Sequence, residues 1–296
     1  MDQTRAGVTY GVGAYALWGL FPLFWPLLEP AKPVEVLAHR VLWSLLVVVL
    51  LLQATRSWPA LRAVTPHQAR RLAVAAVLLT ANWGLYIYGV NSGQVVETSL
   101  GYFINPLVSV GLGVLVLGER LRAVQRVAIG FAVVAVGVLT AANGRPPYIA
   151  LALAFSFGTY GLLKKQANVG AIPSLAIETG VMAPLAATYL GVLAVTGRGT
   201  FTGHGADHVA LLASAGIVTA VPLLLFGSAA TRIPLTTLGV LQYLAPTLQL
   251  LVGLVVRHEP FGAARFAGFA LVWVALVVFT TDLVRHHRRL ESVAAC

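Results

Sequence analysis

Residues 95–117 read VVETSLGYFINPLVSVGLGVLVL, and residues 235–256 read LTTLGVLQYLAPTLQLLVGLVV. Each run is long and apolar enough to cross the ~30 Å hydrocarbon core of a bilayer as a helix, which takes about 20 residues. The two also echo one another. Thr98-Ser99-Leu100-Gly101 returns as Thr236-Thr237-Leu238-Gly239, and Pro106 returns as Pro246, 140 residues later. Working outward, the same separation of 140 links Pro33 with Pro173 and Glu119 with Glu259, while Gly19 with Gly158 and Gly89 with Gly227 stand within two residues of it. Self-similarity at a fixed period marks a duplicated unit.

Ten apolar spans can be drawn, at 6–28, 33–54, 71–91, 95–117, 123–142, 147–165, 173–196, 208–230, 235–256 and 263–284. Five fall in residues 1–142 and five in 143–296. Because five is odd, the second set enters the membrane from the opposite side, so the halves are inverted about an axis in the membrane plane. Secondary transporters are built this way, with substrate near the midplane between the repeats and alternating access by rocking one half against the other. Duplication retained for packing alone is the alternative. The composition agrees with a membrane protein: of 296 residues 58% are hydrophobic and only 10% charged, with a mean hydropathy of +0.84, against ~25% charged in soluble domains. The longest interval between spans, Thr55 to Arg70, leaves no room for a soluble catalytic, nucleotide-binding or DNA-binding domain. The expected fold class is therefore all-α integral membrane, ten transmembrane helices in two inverted five-helix repeats.

The net charge of +10 does not indicate nucleic acid, because it is not gathered into one patch. It follows topology instead. With the N-terminus cytoplasmic, the inner side holds Arg5, Arg56, Arg62, Arg70, Arg71, Arg120, Arg122, Arg126, Lys164, Lys165, Arg232, Arg285, Arg288 and Arg289, against Lys32, Arg145, Arg198, Arg257 and Arg265 outside. That excess on one side predicts both termini in the cytoplasm. The first apolar stretch is read as an uncleaved first helix, and the single Cys296 excludes an intrachain disulfide.

Taken in order, the segments resemble the RarD family of EamA transporters in the drug/metabolite transporter superfamily. The resemblance rests on Leu17-Trp18-Gly19-Leu20-Phe21-Pro22, Glu35 to Arg40 with Trp43-Ser44, Asn82-Trp83 through Tyr86 to Asn91, and Glu97 to Leu107 in the first half. In the second it rests on Phe157-Gly158 through Tyr160 to Lys164-Lys165, Glu178-Thr179, Pro222-Leu223, Arg232 to Leu235, and Leu238-Gly239 with Gln242-Tyr243 and Pro246. It implies two EamA repeats, the inner membrane of a bacterium, and transport or export of a small metabolite or drug.

Ionisable side chains inside spans are the first functional candidates, since an Arg or Asp at helix centre costs about 2.5–3.5 kcal/mol even on the mild insertion scale. Arg40 lies seven residues into the second span, roughly 10 Å deep at 1.5 Å per residue. Its guanidinium fork suits a carboxylate or another anionic group, of the solute or of a side chain alternating with it. Pairing with Glu35, or snorkelling to the interface, is the structural alternative. Glu178 and His39 are candidate titrating groups for proton or counter-substrate coupling, whereas Glu35 and Glu97, near helix starts, suit capping. Trp18 and Phe157, each beside a glycine near mid-span, are candidates for cavity walls or for helix packing through small residues. Pro106 and Pro246 each clash with the carbonyl four residues earlier, which places Tyr102, Asn105, Gln242 and Tyr243 among candidate polar liners. Asn82, Tyr86 and Asn91 recur close to one helical face, with interhelical hydrogen bonding as the plainer role.

Other motifs carry little. Gly11-Val12-Gly13 sits inside an apolar run without the preceding strand that a dinucleotide fingerprint requires, and there is no P-loop sequence. His204, Asp207 and His208 are expected in a solvated outer loop rather than on a metal. No cofactor is expected. The expected partners are a small-molecule solute and the lipid bilayer. A polytopic enzyme acting on a lipid-linked substrate is the competing class, though its acids or histidines would normally cluster near one membrane face.

Overall fold

The computed structural model describes residues 3–117, 123–230, 232–233 and 241–294, and it is helical at each of the ten expected positions. The first span is broken. Helix α1 (Gln3–Gly19) gives way to a short α2 (Phe21–Phe24) and a 3-10 turn, Trp25–Leu28. Pro22 and Pro26 each open one of these pieces, where a missing N–H leaves nothing unpaired. The re-aimed segment buries Phe21, Trp25 and Leu28.

Helix α3 (Pro33–Ala54) follows, and the interval expected to be loop then carries a short α4 (Trp58–Arg62). Helix α5 (Pro66–Asn91) starts five residues before the expected boundary. Thr65 and Gln68 form a capping box there, with Thr65 Oγ1 accepting from the Gln68 N–H and Gln68 Oε1 from the Thr65 N–H. Next come α6 (Val95–Leu117), α7 (Ala123–Asn143), α8 (Tyr148–Ala167), α9 (Ala171–Val195) and α10 (Gly205–Ala230). Helix α11 (Leu244–Leu251) runs into a π-turn, Val252–Val256. Helix α12 (Ala263–Ala294) continues through the basic run beyond 284. Glu119, Thr236 to Gly239 and Cys296 lie outside the described residues.

Among the described residues, five helical runs are long and apolar enough to cross a membrane (Thr4–Leu28, Pro33–Ala54, Pro66–Asn91, Ala171–Val195 and Gly205–Phe226), and shorter apolar helices accompany them. Their outward faces are apolar too: Leu115 is 83% exposed and Val195 90%. Soluble monomers rarely show such continuous apolar surface, so the bundle is that of a multi-pass membrane protein.

Helices of the first half pack chiefly on helices of the second. Helix α1 lies on α10 and α11, α3 on α9 and α10, α5 on α8 and α9, α6 on α8, and α7 on α12. Exchanging spans of the same rank in residues 1–142 and 143–296 turns the α1–α10 pair into α8–α5, α3–α10 into α9–α5 and α1–α11 into α8–α6. The α3–α9 and α7–α12 pairs map onto themselves. Glycines allow backbone-to-backbone approach along these seams: a Cβ on Gly101 would lie 2.7 Å from the Ala150 carbonyl oxygen, and one on Gly216 2.5 Å from the Trp43 carbonyl carbon. Small residues at such crossings are the usual basis of close helix packing in membranes.

Candidate functional site

Arg40 projects from α3 into an aromatic enclosure and is only 2% exposed. Its guanidinium carbon lies 3.8 Å from the Trp83 ring centroid, 4.9 Å from Trp25 and 5.7 Å from Phe21. The broken first span supplies two of these rings and α5 the third. Nε donates to Thr219 Oγ1 at 2.8 Å, from α10 of the other half, and Thr219 Oγ1 in turn donates to the Ala215 carbonyl. Nη1 is buried without a partner.

Two further buried donors, Trp25 Nε1 and the Tyr86 hydroxyl, are likewise unpartnered, as is Ser44 Oγ one turn along α3. The expected alternative partner, Glu35, is engaged elsewhere. Its Oε1 accepts from the Thr200 N–H at 2.6 Å and from Thr200 Oγ1 at 3.0 Å. Glu97 similarly accepts from the Ile149 N–H at the start of α8. Both acids therefore serve the backbone of a distant segment rather than their own helix.

A chain of contacts leads from Arg40 towards the opposite end of the bundle. Tyr86 meets Tyr102 edge-on at 5.5 Å, Tyr102 meets Phe157 at 6.2 Å, and Phe157 meets Tyr160 at 5.6 Å. The Tyr160 hydroxyl donates to Glu178 Oε2 at 3.2 Å. Glu178, 2% exposed, pairs with Lys164 Nζ at 2.7 Å and accepts from Ser174 Oγ at 2.9 Å. Asn82 bolts α5 to α8: its Nδ2 donates to the Leu153 carbonyl and Ser156 Oγ, and its Oδ1 accepts from the Tyr102 hydroxyl. A crevice lined by Trp83, Thr80, Thr179 and Glu178 holds only about 10 Å³, room for about one water.

The structure thus brings together Arg40, Tyr86, Tyr102, Asn82, Phe157 and Glu178. Trp18 packs beside this group, against Tyr15 and Phe226, and its carbonyl accepts from Gln249 Nε2. His39 lies apart, stacked on Phe201 at 4.7 Å. His208 is buried, with Nε2 2.9 Å from Thr200 Oγ1, so it does not stand in a solvated loop as expected. Asn91 and Asn105 each carry a buried, unpartnered Oδ1, Asn91 at the far end of α5 from the crevice.

The expectation for Pro246 requires correction. Pro246 occupies the first turn of α11, where no intrahelical donor is needed. Gln242 and Tyr243 precede that helix in a turn, and the Tyr243 carbonyl accepts from Thr247. Sequence reasoning missed Trp83, Trp25, Phe21 and Thr219 around Arg40, and Lys164 opposite Glu178. A tryptophan directly following Asn82 was the available signal.

Comparison with known proteins gives the class. The EamA-like transporter family model matches residues 5–141. Protein RarD of Streptomyces exfoliatus is 54% identical over 98% of this chain and 93% of its own length. Protein RarD of Escherichia coli K12 is 43% identical over 98% and 99%. The Pseudomonas aeruginosa protein named chloramphenicol-sensitive protein RarD is 29% identical over 98% of each chain. One solved crystal structure shares the fold, with a TM-score of 0.63 at 20% identity, covering 95% of this chain and 99% of that one. A helical multi-pass bundle with these relatives is a membrane transporter of the drug/metabolite superfamily. Within it, the chain belongs to the RarD family of EamA transporters.

Proposed function

We propose that the chain is a secondary transporter that exports small organic solutes by alternating access, with residues 1–142 and 143–296 as inverted repeats. The solute's anionic group docks on Arg40. The observation that carries this is the buried guanidinium with no carboxylate within reach among the described residues and with Nη1 unpartnered. Arg and the Trp indole are obligate donors, so Arg40, Trp25 and Tyr86 together call for a ligand that brings acceptors. The exchange-symmetric helix pairing supports the two-repeat reading. The narrowness of the crevice supports loading by separation of the halves. Glu178, paired with Lys164, and His39 are the candidates for proton coupling. The setting is the inner membrane of a bacterium with both termini cytoplasmic, a reading that the arginine distribution supports.

The test is reconstitution into liposomes with a panel of organic carboxylates, uncharged nucleosides and phenicol-type drugs. Carboxylate movement without chemical change, abolished in Arg40→Gln, is the expected result. Formation of a new product would favour the enzyme reading. Equal transport by wild type and Arg40→Gln would remove Arg40 from the site.

A further inference from the structure

We infer that the rim of the bundle at its Glu259 end binds the phosphate of a phospholipid headgroup. This site is remote from Arg40 and does not depend on the transported solute. A cavity of about 170 Å³ opens there between α6, the α7–α8 loop and α12, more than ten times the space that one water needs. Arg145 and Arg265 both line it. Arg145 is exposed and makes no hydrogen bond or ion pair among the described residues, and Arg265 uses Nη1 on the Pro260 carbonyl, leaving the rest of its fork.

Glu97 also lines the cavity, but among the described residues neither Glu97 nor Glu259 forms an ion pair with Arg145 or Arg265. Glu97 Oε1 accepts from the Ile149 N–H, while Glu259 accepts from the Val95 and Val96 N–H groups, so each is engaged at a helix N-terminus. Two guanidiniums beside a roomy polar cavity make a phosphate site, because the guanidinium fork matches phosphate oxygens.

The surroundings identify a lipid rather than a free phosphate. Tyr148 and Phe266 next to the cavity are 59% and 57% exposed, aromatics where a bilayer interface places them. Leu139 and Phe269 form the apolar floor. On the same two helices Val133 and Val277 are 66% and 65% exposed, apolar surface that suits acyl chains.

Purified protein in detergent is titrated with dioleoyl phosphatidic acid, dioleoyl phosphatidylglycerol, dioleoylglycerol or free glycerol phosphate, following thermal unfolding and bound lipid by native mass spectrometry. Both phospholipids are expected to raise the wild-type midpoint by about 5 °C near saturation, with no rise from dioleoylglycerol. Arg145→Gln and Arg265→Gln should weaken lipid affinity about tenfold or more, Glu97→Gln should strengthen it, and Arg198→Gln, an exposed arginine away from the cavity, should match wild type. Equal binding of dioleoylglycerol, or lipid affinity unchanged in Arg145→Gln, overturns the site. Saturation by glycerol phosphate at the concentration that suffices for the lipids overturns the lipid source.

Discussion

The guanidinium of Arg40 lies 3.8 Å from the ring centroid of Trp83, so a fully buried cation rests on aromatic faces where a carboxylate would be the usual partner. Cation–π attraction contributes about 0.5–2 kcal/mol. The effective desolvation of an ion is several kcal/mol. Packing therefore does not account for this charge, and apolar replacement should separate folding from function. Arg40→Met is expected to insert normally and raise the thermal midpoint by a few degrees, while solute flux falls to background. Arg40→Lys keeps the charge without the fork and should transport poorly. Unfolding of both variants would make Arg40 structural.

Trp83→Leu removes the nearest of the three rings but leaves Trp25 and Phe21. Solute affinity should weaken about 3- to 30-fold at near-normal stability, read as a rise in the half-saturating concentration in proteoliposomes. Unchanged affinity would show that the Trp83 face does not hold the guanidinium in its docking position.

Lys164 and Glu178 form an ion pair with unequal exposure, 26% and 2%. Removing the cation leaves a buried carboxylate with only Ser174 and Tyr160, so Lys164→Met should cost about 1–3 kcal/mol. Adding Glu178→Gln should recover most of it, as a double-mutant cycle of thermal midpoints will show. If the pair carries coupling, flux driven by an imposed pH gradient disappears in Glu178→Gln. Wild-type flux indifferent to that gradient would exclude proton coupling.

Glu259 lies between membrane segments. Burial lifts its carboxyl above the ordinary value, opposed by the backbone N–H groups of Val96 and Val95 and by Arg265 and Arg257. The folded state thus holds this proton more tightly than the unfolded chain. Its contribution is fully present below the unfolded value and is lost as pH rises through the raised one. As pH rises from the ordinary carboxylate range through the raised value, wild type should lose thermal midpoint relative to Glu259→Gln; parallel curves would contradict this.

A membrane-impermeant thiol reagent tests the orientation through Cys296. Labelling is expected only after permeabilisation, and labelling of intact cells would invert the topology.

Much of the fold was legible because transmembrane helices announce themselves by local composition. The boundaries that differed were set by local signals read too weakly. Thr65-Pro66-His67-Gln68 is a helix start written in four residues, and Pro22 and Pro26 break the first span where the hydropathy is continuous. The isolated charges Arg40 and Glu178 were also legible, since an ion within an apolar run stands out. Their partners were not. Thr219 lies 179 residues from Arg40, and no periodicity along the chain encodes which tryptophan will face it. Glu35 and Glu97 show the same limit: position near a helix start indicated capping, but not that the capped backbone belongs to Thr200 and Ile149.

The close approaches at Gly101 and Gly216 have a mechanical consequence. At these two points the halves approach main chain to main chain, leaving no room for an added side-chain atom. A single methyl group becomes a wedge. Gly216→Ala would press on the Trp43 peptide and Gly101→Ala on the Ala150 carbonyl, each opposing the arrangement seen here and favouring one in which that crossing has opened. Two one-carbon substitutions would thus load the α3–α10 and α6–α8 crossings without replacing any side chain of the chamber around Arg40.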